Sequence, residues 1–357
     1  MKAEHDVQLA PTRRQRSERF LAALEPFTDI VLISHVNPDP DALASMLGLK
    51  ALINRRQGGK PVTLTLDGMI ARAENQAMAE LLEIPLVPIG EAVIGPKTCI
   101  VMVDAQPHTG QRPIETTNPH IVLDHHETPG QLEGVVFRDL RPKLGATSTI
   151  VTGYLLEQDI AVSERLATAL LYGIESEITG YPRESGPADD GALVWLYPRA
   201  DKDLLARIRN PKLPQSYFAT YHHALTNAFL YQGVLVSWCG TVPQPDIIAE
   251  LADFFIRFDQ VDWALSLGLF DNLLKLSVRA NHIGGHCGDL LRTVVDGYGT
   301  AGGHDRRAGG AIPLTDTSPD ALRDLLGILR GRFLSNLQID EHHGRRLFDA
   351  CPMIQIP

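Results

Sequence analysis

The stretch DIVLISHVNPDPDALASM, residues 29–46, decides the fold. Residues 29–34 (DIVLIS) are a short continuous apolar run, the pattern of a strand buried on both faces. The run ends at His35, and a helical pattern opens near Asp41 as DALASMLGLKALINRR. Working outward, residues 62–66 read as another strand and 71–82 as a helix. A second buried run, 99–103 (CIVMV), stops at Asp104, and a third, 121–123 (IVL), stops at Asp124, His125 and His126. Strands alternating with helices predict an α/β domain with a parallel sheet and helices on both faces.

Residues 147–157, 163–172 and 193–209 are further helical patterns, with a loop expected over 181–191 (YPRESGPADDG). NPKLPQ, residues 210–215, carries two prolines and is the expected linker. Beyond it, strands at 235–239, 263–270, 273–279 and 311–314 interleave with helices at 246–258, 289–295 and 320–336. A glycine-dense segment spans 297–310. This predicts an N-terminal arm over 1–17, a first domain over 18–209, a linker over 210–229, and a smaller α/β domain with a C-terminal extension over 230–357. A length of 357 residues favours two domains at roughly 100–200 residues each.

Hydrophobic residues make up 44% and charged residues 21%, the balance of a globular protein. That excludes a wholly disordered chain, a collagen-like chain and a small disulfide scaffold. The net charge of −10 argues against a broad basic face gripping long duplex nucleic acid, while leaving room for a short anion in a local pocket. Cys99, Cys239, Cys287 and Cys351 lie far apart and form neither a zinc knuckle nor a disulfide framework; they read as reduced thiols. The polar start, MKAEHDVQLAPTRRQRSERF, is not a secretory signal, and no apolar run approaches the length of a membrane span. The expectation is a cytoplasmic protein without a membrane partner. A homodimer is allowed.

The chemistry lies at the strand ends. His35, Asp39 and Asp41 follow the first buried run, Asp104 the second, and Asp124, His125 and His126 the third. In open parallel sheets ligands bind at the carboxyl ends of strands, at the switch point of strand order, so these groups converge on one crevice. Crowded carboxylates repel one another unless a cation compensates. Oxygen and imidazole donors without thiolate suit a divalent ion such as manganese. A cluster of this size can hold two ions about 4 Å apart on a phosphoryl group, with Asp104 placed to bridge them. Taken singly the residues are ordinary: Asp41 reads equally well as the N-cap of the helix DALASM, Asp104 as a loop residue, and a His–His pair as solvated. Their joint occurrence at three strand ends is what points to a site.

SHVNPDPDALAS (34–45), Asp104 and LDHH (123–126) resemble the DHH phosphoesterase family, and AGGHDRRAGG (301–310) resembles the glycine-histidine motif of the DHH-associated C-terminal domain. The combination looks most like the nanoRNase and 3′,5′-bisphosphonucleotide phosphatase branch. The resemblance implies an active site in the cleft between two domains and two manganese ions, with cobalt or magnesium as alternatives. His35 and Asp39 would hold one ion and Asp41 and His125 the other, with Asp104 between them. The family's last ligand, an Asp, corresponds to Glu177 in GIESEITG (173–180), one methylene longer; Glu175 is the fallback. Asp124 would orient a histidine, His126 would donate to the scissile phosphate, and a water activated by the two ions would attack phosphorus. Asn37 either touches the phosphate or shapes its loop. Gly302, Gly303 and His304, read as a turn, and Arg279 in LSVRAN would bind the substrate's terminal phosphate or sugar.

The function expected is therefore hydrolysis of short oligoribonucleotides or 3′-phosphoadenosine 5′-phosphate. Alternatives are a linear or cyclic dinucleotide phosphodiesterase, a RecJ-like single-strand exonuclease and an inorganic pyrophosphatase. Glu177 in place of Asp adds a nucleotide-binding sensor with weakened catalysis. His222-His223, His342-His343, His286 and Cys287 read as structural.

Overall fold

The computed structural model describes residues 11–107, 118–127, 131–178, 185–303 and 305–348. Residues 1–10 of the expected arm, 181–184 of the expected loop, His304 and Cys351 lie outside the described residues. The chain divides into two compact units, Met1–Pro211 and Lys212–Pro357.

In the first unit, helix α1 (Pro11–Ala23) leads into β1 (Asp29–Ile33), α2 (Pro40–Arg56), β2 (Val62–Leu66), α3 (Ala73–Leu81) and β3 (Leu86–Pro88). The chain then returns through β4 (Thr98–Val103), β5 (Ile121–Asp124) and β6 (Phe137–Leu140), followed by α4 (Thr147–Glu157), α5 (Glu164–Ile178), α6 (Pro187–Leu196) and α7 (Lys202–Arg209). The six strands are parallel in the order β3-β2-β1-β4-β5-β6. The chain works outward from β1 to β3, then crosses back to β4 and works outward to β6. The switch point therefore falls between β1 and β4.

Why the apolar runs form this sheet follows from the alternation of side chains along a strand. Ile30 and Leu32 of β1, with Val101 and Val103 of β4, enter the larger core with Leu43, Met46 and Leu49 of α2, Ile150 of α4 and Leu170 of α5. Val31, Ile33, Ile100, Met102 and Val122 form a second cluster on the opposite face, with Ile89, Leu132 and Leu140 packed against it. Each fully buried aliphatic side chain contributes about 1.5–3 kcal/mol, so β1 and β4, buried on both sides, anchor the unit.

Several local expectations change. Residues 187–191, expected in a loop, open α6, because Pro187 occupies the first turn and Asp189 returns to the Gly186 N–H at 2.8 Å. The helix expected over 193–209 is broken by a 3-10 turn at Tyr197–Arg199, where Pro198 cannot supply a backbone N–H.

The second unit begins with α8 (Gln215–Thr226), a helix within the stretch expected as linker, whose Ala224 is fully buried in that unit's core. It continues through β7 (Ala228–Tyr231), β8 (Val234–Thr241), α9 (Ile247–Phe255), β9 (Trp263–Phe270), β10 (Leu273–Ala280) and α10 (Cys287–Val295). It closes with β11 (Thr300–Gly303), β12 (Arg307–Pro313), α11 (Pro319–Asn336) and β13 (Arg345–Arg346). The mixed seven-stranded sheet runs β11-β12-β10-β9-β8-β7-β13, with β8–β9 parallel and the other pairs antiparallel. Among the described residues, no helix is long and apolar enough to cross a membrane.

Candidate metal centre

The site is built where the switch point requires it, at the carboxyl ends of β1, β4 and β5. After β1 the chain passes His35 and Asn37, then enters α2. Asp39 is the N-cap, its Oδ1 accepting the Ala42 N–H at 3.0 Å, with Pro40 in the first turn. The cap expected of Asp41 thus belongs to Asp39, because the proline after Asp39 fixes the helix start two residues earlier. Asp41 is left as the second helical residue and is fully buried.

Asp41 faces the start of α4. Its Oδ2 accepts the Thr147 N–H and its Oδ1 the Ser148 N–H, both at 2.7 Å. These are amides that have no partner inside their own helix. Thr147 also donates its hydroxyl to Asp104 Oδ1 at 2.9 Å. Asp104, after β4, is 2% exposed and has a left-handed backbone, φ 57°. That conformation costs a non-glycine residue about 1–3 kcal/mol and is concentrated at functional sites.

The histidines close the cluster. His125 is buried, and its Nδ1 lies 3.1 Å from the Leu144 carbonyl oxygen. With Nδ1–H donated there, Nε2 turns its lone pair toward Asp104 Oδ1 at 3.5 Å and Asp41 Oδ2 at 3.8 Å. His35 repeats the arrangement. Its Nδ1 lies 3.0 Å from the Val36 carbonyl, and its Nε2 faces Asp104 Oδ2 at 3.7 Å and Asp39 Oδ2 at 3.9 Å. These separations are too long for hydrogen bonds. They match the spacing of two donors that each approach one divalent ion at about 2.0–2.2 Å. Anchoring the second ring nitrogen to a carbonyl is how metal-binding imidazoles are oriented. The donor set therefore fits a divalent cation: His35, Asp39 and Asp104 form one group that could hold an ion, and Asp104, His125 and His126 another.

Electrostatics agree with the geometry. Burial, then the charges of Asp104, Asp39 and Glu177, push the Asp41 carboxyl well above the usual range, against the Ser148 hydrogen bond. Burial lowers the basicity of His35, but the carboxylates of Asp104 and Asp39 outweigh it and hold its pKa well above the ordinary value. Burial raises Asp39, and its interactions with His35 reverse that and hold it well below the usual range.

His126 Nδ1 also lies 3.9 Å from Asp104 Oδ1, but that nitrogen is engaged elsewhere. It contacts Asp124 Oδ1 at 2.7 Å, and Asp124 Oδ2 accepts from Gln106 Nε2 at 2.8 Å. Gln106 also donates to the His126 carbonyl at 3.2 Å. Burial raises the Asp124 carboxyl, but the His126 and Gln106 hydrogen bonds pull it below its ordinary value. Sequence reading passed over Gln106, Thr147 and Ser148. The one signal available for the last two was their place at the head of a helical pattern.

The remaining candidates are dispersed. Glu177, in the last turn of α5, is half-buried, and its charge acts on Asp41. Glu175 pairs with Arg209. Asn37 is exposed, has φ 58°, and accepts the Met69 N–H through its Oδ1 at 2.8 Å, which fits the loop-shaping alternative. In the second unit, Arg279 on β10 pairs with Asp253. Gly302 and Gly303 are strand residues of β11, opposite Gly309 and Ala308, rather than a turn. At Gly303 a Cβ would meet the Arg307 carbonyl oxygen at 2.4 Å, so only glycine allows that approach.

Residues 29–174 match the DHH family, N-terminal domain. An uncharacterized protein of Methanocaldococcus jannaschii is 31% identical over 318 residues, which are 87% of this chain and 65% of that protein. A probable bifunctional oligoribonuclease and PAP phosphatase of Streptococcus mutans is 25% identical over 154 residues, 43% of this chain and 47% of that protein. The chain thus spans less than two thirds of the length of either relative. An exopolyphosphatase-related protein from Bacteroides fragilis shares the fold, with a TM-score of 0.67 at 17% identity over 91% of this chain and 97% of its own. The matched residues contain β1, β4 and β5 with the acids and imidazoles at their ends, so the strand-end cluster lies in the part of the chain that matches the DHH family's N-terminal domain.

Proposed function

We propose that the strand-end cluster holds two divalent cations, manganese foremost, and hydrolyses phosphoester bonds in small nucleotides: short oligoribonucleotides, 3′-phosphoadenosine 5′-phosphate, or both. The observation that carries this reading is the paired posture of His35 and His125. Each gives Nδ1 to a backbone carbonyl and turns Nε2 to two carboxylates at 3.5–3.9 Å. In this reading His35 and Asp39 take one ion, Asp41, His125 and Glu177 the other, and Asp104 lies between them. Bound there, the ions supply Lewis-acid polarisation of the phosphoryl group and a lowered pKa for water.

The chain's own residues do the rest. Asp124 fixes the His126 ring through Nδ1, and Gln106 fixes Asp124. The Nε2 side of His126, turned from Asp124, is assigned to an equatorial phosphate oxygen, where an imidazolium donor offsets developing charge. The amides of Thr147 and Ser148 hold Asp41 in place, so it does not reorganise during reaction. The net charge of −10 favours substrates with few phosphates over long strands.

The test is incubation of purified protein and manganese with a labelled RNA dimer and with 3′-phosphoadenosine 5′-phosphate. Release of mononucleotide or inorganic phosphate supports the reading, and its absence from both substrates contradicts it. Glu177 motivates one second reading, a nucleotide-binding protein with weakened turnover. Tight nucleotide binding without hydrolysis, with turnover appearing in Glu177→Asp, would favour it.

A further inference from the structure

A cavity of about 270 Å³ lies between α1 and the outer strand β6, lined by Arg16, Arg19, Phe137, Arg138, Asp139 and Leu140. We propose that this cavity binds a phosphate group, either a free phosphate anion or a phosphate carried on a nucleotide, at a site separate from the strand-end cluster.

The argument begins with Asp139, the acid that lines the cavity. It is 4% exposed and already well satisfied, accepting two hydrogen bonds from Arg141, at 2.9 and 2.6 Å, and one from the Tyr154 hydroxyl at 2.7 Å. Arg141 alone balances its charge. Arg16 nevertheless adds a second guanidinium to Asp139 Oδ1 at 3.1 Å, with its side chain 49% exposed. Arg19 lies over the Phe137 ring at 5.9 Å, and among the described residues no carboxylate pairs with Arg19 or Arg138. Two guanidiniums, those of Arg16 and Arg141, thus share one carboxylate, and Arg19 and Arg138 add to the cavity's lining with no carboxylate of their own, in a chain whose net charge is −10.

Such an excess of cation is costly in self-repulsion unless an anion shares the space, and guanidinium forks match phosphate oxygens in pairs. Phe137 gives the cavity an apolar ring wall suited to whatever carries the phosphate. The place is fixed within the first unit. Leu140 of β6 is in register with Asp124 of β5, so the cavity runs back along β6 from the level of the strand ends over about 10 Å. The sheet order ends at β6, so no further strand covers its outer side.

The experiment is calorimetry on the full chain after chelation, at low ionic strength, with inorganic pyrophosphate and a short RNA as separate titrants. Without cations the strand-end acids repel anions, so binding reports another site. The expected result is binding that weakens with added salt, weakens at least about tenfold in Arg19→Glu/Arg138→Glu, and survives in Asp104→Asn. Both arginines are exposed, so their replacement leaves the core intact. Binding of both titrants assigns the cavity to phosphates on nucleotides, and binding of pyrophosphate alone assigns it to free anions. Absence of binding, indifference to the arginine substitutions, or loss in Asp104→Asn overturns the proposal. None of these readouts depends on hydrolysis.

Discussion

The Asp41 carboxylate accepts the backbone N–H of Thr147 at 2.7 Å across 106 residues of sequence. One contact thereby ties the helix after β1 to the helix after β6, and the Thr147 hydroxyl extends the tie to Asp104. Thr147→Val keeps the shape but removes that hydroxyl from a buried carboxylate. The expected cost is about 1.5–3 kcal/mol in urea unfolding, with roughly 10–100-fold weaker metal binding by titration. Thr147→Ser retains both properties, and an unchanged valine variant would remove Thr147 from the account.

Gln106 fixes Asp124 and the His126 carbonyl. Gln106→Ala lowers kcat by about 10–100-fold while leaving metal content and KM close to those of the unsubstituted protein. A rise in KM at constant kcat would give Gln106 a binding role instead.

Gly173 packs α5 against α2 and α4. A Cβ there would sit 2.7 Å from Ser148 Oγ, 2.9 Å from Ala44 Cβ and 3.0 Å from the Pro40 carbonyl oxygen. Gly173→Ala destabilises by about 1–3 kcal/mol and disturbs the helices that flank Asp41. Gly153→Ala in α4 meets nothing within 4 Å and is the control, neutral or stabilising by up to about 1 kcal/mol. Equal stabilities for the two variants would count against the packing.

Asp139 sets part of the acid limb of stability. Burial raises its carboxyl, but Arg141, Tyr154 and Arg16 together hold it below its ordinary value. A depressed folded pKa contributes stability that is full above the unfolded value, about 3.9, and is lost as pH falls through the folded value. Asp139→Asn therefore costs about 3 kcal/mol at pH 7, and the gap to the unsubstituted protein narrows below about pH 4. Parallel stability curves from pH 7 to pH 3 would contradict this sign.

The first unit was legible because its central strands are buried on both faces and so appear as unbroken apolar runs. His35, Asp104 and Asp124 stand where those runs stop, and the switch between β1 and β4 brings the first two side by side. β6 was not legible, since its sequence FRDL alternates buried and charged residues on an outer strand. α8 was hidden by the prolines before it, which mark a chain break as readily as a helix start. Gln106, Thr147 and Ser148 were beyond reach for another reason. They act through contacts spanning 18, 106 and 107 residues, which no local pattern encodes.

The most direct measurement is anomalous diffraction from crystals soaked in manganese. Two peaks are expected among His35, Asp39, Asp41, Asp104 and His125, both absent in Asp104→Ala. A map without an ion among those side chains would contradict the central claim, whatever hydrolysis the protein shows in solution.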